Sequence, residues 1–232
     1  DRVRILLRHL RRRVLELEQT FLYLCLHDGG LLDIQDLSKN LEVKKPTANS
    51  FISLLEATHL IHRLPPFGYG KEVLRGQRKV YLADAAIAPS VLLKGKSLLD
   101  DDAGLGRAVE TAFFKHLFTR YYRGSVGFSY WRDSKRSEVD IIADLGGKLV
   151  PFEVKYRRND TGLGDLKGIV EFCRKKKLPR GYVITREMND FSILPVSADR
   201  SATRLVKIPA PLACFWLGQS ELRTVEAGPS QD

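Results

Sequence analysis

Two carboxylates and a lysine, Asp140, Glu153 and Lys155, stand in the stretch SEVDIIADLGGKLVPFEVK at a spacing that metal-assisted phosphate chemistry could use. Val139, Ile141 and Ile142 precede Gly146-Gly147, and Leu149, Val150, Phe152 and Val154 follow it. These are residues of buried strands, and the glycine pair is a two-residue hairpin turn. With the glycines as the loop, Leu145 pairs with Lys148, and counting back sets Asp140 opposite Glu153. Like charges at cross-strand positions, with Cβ atoms about 5 Å apart, repel each other, and a divalent cation between them removes that cost. Alternation along the strand puts Lys155 on the face of Glu153 and turns Val154 to the core. Mg²⁺ suits such a site, because it takes one or two carboxylates and keeps waters and substrate phosphate oxygens as its other ligands. Lys155, close to a cation and partly buried, is expected to lose proton affinity and to orient or deprotonate water.

This arrangement resembles the PD-(D/E)xK superfamily, the restriction-endonuclease-like nucleases, with Asp140 followed by the E-x-K element Glu153-Val154-Lys155. Val139 stands where that superfamily usually has proline.

Several elements must position these groups. An amphipathic helix is expected over Leu105 to Tyr122, with Leu105, Val109, Phe113, Leu117 and Tyr121 inward. A strand around Val126 to Trp131 follows, then the hairpin, a helix from about Leu163 to Lys176, and a strand at Gly181 to Thr185. That αβββαβ order is the core of the nuclease-like fold, and Glu110 then matches the acidic residue the superfamily often carries on its first helix, a further metal ligand through water. A first-turn glutamate that complements the helix dipole is the alternative for Glu110.

Upstream, Val3 to Leu24 show helical periodicity, and Gly29-Gly30 stops that helix. Its first half carries Arg8, Arg11, Arg12 and Arg13, which make a phosphate-binding face, a solvated flank or an attachment to a partner domain. From Leu31 to Asp84 the pattern is a helix at Ile34 to Leu41, a turn, a second helix opened by Pro46, and a β-hairpin. This reads as a winged helix-turn-helix. Thr47, Asn49, Ser50 and Ser53 would face outward from the recognition helix, and Lys44 and Lys45 stand at its start, where phosphates are met. Arg63, Lys71, Arg75, Arg78 and Lys79 spread along the wing. Contact with DNA is expected here; docking of a protein is the alternative.

The 232 residues suffice for one large domain or two small ones, and the reading divides them into a winged helix at 1–84, a linker at 85–104 and a restriction-endonuclease-like domain at 105–232. A net charge of +10 points to a polyanion such as nucleic acid. No apolar run approaches the roughly 18 residues of a membrane span, so no membrane partner is expected. Cys25, Cys173 and Cys214 are scattered and read as buried hydrophobes in a reducing cytoplasm. Gly95-Lys96-Ser97 is no P-loop, because Ser90 falls where the first glycine belongs.

Taken together, KKPTANSFISLLEATHLIHRLPPF, KVYLAD, GRAVETAFFKHL, YWRDSKRSEVDIIADLGGKLVPFEVK and RGYVITRE resemble the C-terminal portion of a large prokaryotic family of AAA-type ATPases. The family's P-loop domain is followed by a winged helix and a domain of unknown function with a restriction-endonuclease-like core. The resemblance implies an ATPase domain, and with it ATP, ahead of Asp1 or acting in trans. Two functions follow as expectations. One is a Mg²⁺-dependent DNA nuclease; the other is a non-catalytic DNA- or protein-binding accessory that keeps the nuclease fold. The oligomeric state is left open.

Overall fold

The computed structural model describes residues 2–122, 124–134, 137–158, 161–196 and 203–226. It is a mixed α/β structure with two sheets. Among the described residues no helix is long and apolar enough to cross a membrane.

The N-terminal half begins with helix α1 (Arg2–Leu26), which ends at a turn where Gly29 takes φ 72°. Strand β1 (Gly30–Leu32) follows, an element that the reading of the glycine pair as a stop signal did not anticipate. Asp33 caps α2 (Ile34–Asn40), its Oδ1 accepting from Gln35 N at 2.7 Å. Helix α3 (Lys45–Ala57) carries Pro46 in its first turn, where a missing N–H costs nothing. Its Ala48, Ile52 and Leu55 are buried as expected. Strand β2 (Ile61–Leu64), the short helix α4 (Lys71–Arg75) and strand β3 (Arg78–Leu82) complete this half. The three strands form an antiparallel sheet in the order β1-β3-β2. Within stretch 85–101, α5 (Ile87–Val91) packs Ile87 and Ala88 on the N-terminal core, and a 3-10 turn spans Gly95–Asp100.

Asp101 caps α6 (Asp102–Tyr121), accepting from Gly104 N at 2.8 Å. The order then runs β4 (Val126–Arg132), β5 (Glu138–Leu145), β6 (Lys148–Lys155), α7 (Lys167–Lys176) and β7 (Arg180–Thr185), as expected, with a 3-10 turn at Leu163–Asp165 before α7. Strands β8 (Ser192–Pro195) and β9 (Arg204–Pro209) and helix α8 (Ala210–Glu226) extend it. The sheet order is β4-β5-β6-β7-β9-β8: antiparallel from β4 to β6, parallel through β7 and β9, antiparallel again at β8. Phe113, Phe114 and Leu117 of α6 pack with Ile141, Val154, Ile184 and Ala213, while Ile169, Phe172 and Cys173 of α7 pack with Ile142, Val183 and Leu205. Phe114, outside the expected inward stripe of α6, is fully buried because the N-terminal half covers that flank. Tyr81 of β3 stacks on it at 4.6 Å between ring centroids, and Leu64 of β2 enters the same cluster. The core is therefore continuous across the expected boundary.

Candidate functional site

The β5-β6 hairpin turns as its glycines require: Gly146 and Gly147 take φ 64° and 93°, and Leu145 pairs with Lys148. The ladder runs back to Ile141 opposite Phe152 and ends there. One further step in that register sets Asp140 against Glu153. At that step Val154 N donates to the Asp140 carboxylate, Oδ2, at 2.9 Å. Asp140 and Glu153 are both buried, at 9% and 5% exposure, and Val154 turns into the apolar cluster while Lys155 donates to Glu153 Oε1 at 2.5 Å. Asp140, Glu153 and Lys155 are thus brought together.

A fourth partner comes from the other sheet. Lys79 of β3, expected on the exposed wing as a DNA contact, is 3% exposed and reaches into the acid site. Its Nζ lies 2.8 Å from Glu110 Oε1, 2.8 Å from Asp140 Oδ1 and 3.2 Å from Glu138 Oε1. Tyr81, two residues on and on the same face, donates its hydroxyl to Glu110 Oε1 at 2.6 Å. Glu110 therefore belongs to the site and is no solvent-facing first-turn residue.

Electrostatics follow from this crowding. Burial raises the Asp140 carboxyl, but the Lys79 ammonium and the Val154 N–H outweigh it and hold Asp140 below its ordinary value. Burial, with Asp140 beside it, pushes Glu110 up to about 7 and Glu153 up to about 8, Lys79 and Lys155 offsetting only part of the cost. Burial would lower Lys155, as the sequence suggested, but the Glu153 carboxylate, then Asp140 and Glu110, raise it instead. An ammonium so held is a hydrogen-bond donor and positive charge, not a base.

Mg²⁺ demands near-octahedral oxygens at about 2.0–2.1 Å. Both oxygens of Asp140 are engaged and an ammonium stands between Asp140 and Glu110. Among the described residues no three acidic, histidine or cysteine side chains form a metal-holding group. The donor set in this arrangement does not fit Mg²⁺. Glu153 Oε2 is buried with no hydrogen-bond partner.

Beside Lys155 lies a cleft of about 350 Å³ lined by Arg157, Arg158, Thr185 and Arg186, residues the sequence reading did not single out. Arg157 pairs with Asp165 at 2.6 Å while its Nε is buried without a partner, as is Thr185 Oγ1. Arg158 and Arg186 both approach Asp102. The signal was available: Arg157 and Arg158 follow the E-x-K element after a single residue, Tyr156, and Lys155 and Thr185 are register partners on β6 and β7.

The expected nucleic-acid contacts divide. Lys44, Lys45, Asn49, Ser50, Ser53 and Arg75 are exposed, with Lys44 at the N-cap of α3. Asn49, Arg63, Arg75 and Arg78 line one concave surface of about 420 Å³. Thr47 is half-buried and accepts from Arg13 Nη1 at 3.2 Å, and Arg63 donates from Nε to Glu56 at 2.9 Å.

Residues 105–201 match the family described as "Domain of unknown function (DUF4143)", and residues 5–98 match "Domain of unknown function (DUF8612)". The chain is similar to "Uncharacterized protein Mb2031c" of Mycobacterium bovis and "Uncharacterized protein Rv2008c" of Mycobacterium tuberculosis. Each is 24% identical over 132 residues, which is 56% of this chain and 29% of the relative. The matched region thus spans less than a third of the length of either relative.

Proposed function

We propose that the chain is a DNA-binding module of an AAA-type ATPase, in which a winged helix-turn-helix is joined to a restriction-endonuclease-like core and the core serves as a scaffold. The observation that carries this reading is Lys79: its ammonium takes the cation's place among Glu110, Glu138 and Asp140. DNA contact is supported by the net charge of +10, by exposed Lys44 and Lys45 at the start of α3, and by the concave surface of Asn49, Arg63, Arg75 and Arg78. The AAA-type ATPase enters through the resemblance of the sequence, and ATP only through that partner domain.

A second reading is Mg²⁺-dependent phosphodiester hydrolysis. It is favoured by the unpartnered Glu153 Oε2 and by Lys155 standing at the mouth of an arginine-lined cleft, and it requires Lys79 to leave.

Fluorescence anisotropy on duplex and single-stranded DNA across a salt series, beside plasmid cleavage with and without Mg²⁺, tests both readings. Affinity is expected to fall steeply with salt, since neutralised phosphates release counterions. Lys44→Ala, Lys45→Ala and Arg78→Ala together should weaken binding on all sequences alike and lower the salt slope by about 3. Affinity that ignores salt and these substitutions would turn the α3 surface into a protein-docking face. Cleavage by the wild type that Lys155→Ala abolishes, with DNA binding retained, would replace the scaffold reading by the hydrolase reading.

A further inference from the structure

The Lys79 ammonium has three protons and three carboxylate oxygens to receive them: Glu110 Oε1 at 2.8 Å, Asp140 Oδ1 at 2.8 Å and Glu138 Oε1 at 3.2 Å. The oxygens come from α6 and β5, while the lysine comes from β3 of the other sheet. Three oxygens disposed around one buried point, in a different part of the chain from the charge that satisfies them, form a cage for a cation. A second observation points the same way. Glu153, 5% exposed, keeps Oε2 buried and unpartnered in a site already rich in acid. Take the lysine away, and Glu110, Glu138 and Asp140 lose the one ammonium that all three contact, with Lys155 near Asp140 and Arg132 3.9 Å from Glu138 as the remaining positive charges.

We infer that Lys79 Nζ is the resident cation of this cage, and that the cage takes a divalent metal ion only when the lysine is removed or drawn out. The wild-type acid site is then closed to metal, and β3 is the element that closes it. This inference rests on the same placement of Lys79 that carries the scaffold reading, and its test involves no DNA, so that a failure of DNA binding and a failure of this inference are read separately.

Mn²⁺ binding to the full chain, followed by electron paramagnetic resonance of the free ion and by thermal melting, supplies that test. Lys79→Met keeps much of the side-chain length and removes the charge. It should bind one Mn²⁺ at least about tenfold more tightly than the wild type, a difference of about 1.4 kcal/mol. Its melting temperature should rise with Mn²⁺ while the wild type's stays fixed. Lys79→Met combined with Asp140→Asn should lose that binding. If Lys79→Met does not fold in chelator, Mn²⁺ should restore its fold where Na⁺ does not. The inference is overturned if the wild type binds Mn²⁺ as tightly as Lys79→Met, if the gained binding survives Asp140→Asn, or if Lys79→Met gains neither binding nor fold from Mn²⁺.

Discussion

His62 of β2 is held against Phe118, with ring centroids 4.2 Å apart, and edge-on to Phe114 at 5.8 Å. Burial, helped by nearby His59 and opposed by Glu56, lowers its pKa below the ordinary 6.5. The sign of the consequence is fixed by linkage: above 6.5 the imidazole is neutral in both states and its packing contributes fully. As pH falls below 6.5 the unfolded chain takes the proton first, so stability declines until the folded pKa is passed. Urea midpoints measured from pH about 7.5 down to about 5 should therefore fall less steeply in His62→Phe than in the wild type. Equal slopes would mean that His62 titrates alike in both states. At this scale, the sequence showed Asp140, Glu153, Lys155 and Glu110 but misplaced Lys79. In RKVYL the alternation was visible, with Val80 and Leu82 on one face and Lys79 and Tyr81 on the other. β3 is the middle strand of its sheet and both of its faces are covered, so the face that looked like solvent is the interface with α6. The large ring of Tyr81 beside Lys79 was the available hint.

Among the elements, α7 and β5 approach so closely at one point that only a hydrogen fits between them. A Cβ placed on Gly168 would stand 2.0 Å from the Glu138 carbonyl oxygen and 2.8 Å from the Glu138 N and C atoms. Two effects of opposite sign meet in Gly168→Ala. Helix propensity alone would stabilise by about 1 kcal/mol, whereas overpacking costs about 1–3 kcal/mol or more. The contact is with backbone, which cannot rotate away, so net destabilisation in the denaturant midpoint is expected. A stabilised variant would show that α7 can shift freely. The hairpin was legible because glycine pairs and apolar runs fix turn and register locally, and α3 was legible from Pro46 and its apolar spacing. β1 is three residues long, too short for periodicity to register. In β9 a lysine, Lys207, occupies a buried position beside Asp190 at 2.6 Å, which breaks the apolar alternation that would have marked a central strand.

Over the whole molecule, two sheets and their order along the chain follow from the sequence, but their fusion does not. Composition and periodicity describe each half by itself. Asp28, reached by Leu82 N at 2.9 Å and Thr111 Oγ1 at 2.8 Å, joins the halves through side chains with no sequence signature. The segment Pro65 to Phe67 joins them by backbone: Tyr130 N donates to Pro65 O at 3.1 Å and Phe67 N to Tyr130 O at 2.6 Å, while Phe67 packs edge-on to Phe172 at 5.3 Å. β4 is the outermost strand on that side of the six-stranded sheet. An uncovered edge offers its unpaired N–H and C=O groups to another chain, and this strap covers part of it. Phe67→Ala removes the strap's anchor while leaving the sheet itself intact. Light scattering of that variant should rise with protein concentration at unchanged far-ultraviolet dichroism, as exposed β4 edges pair between molecules. A variant whose scattering matched the wild type's at every concentration would show that β4 needs no cover. The strap that ties the two halves together thus also covers part of the edge at which one molecule would add to the next.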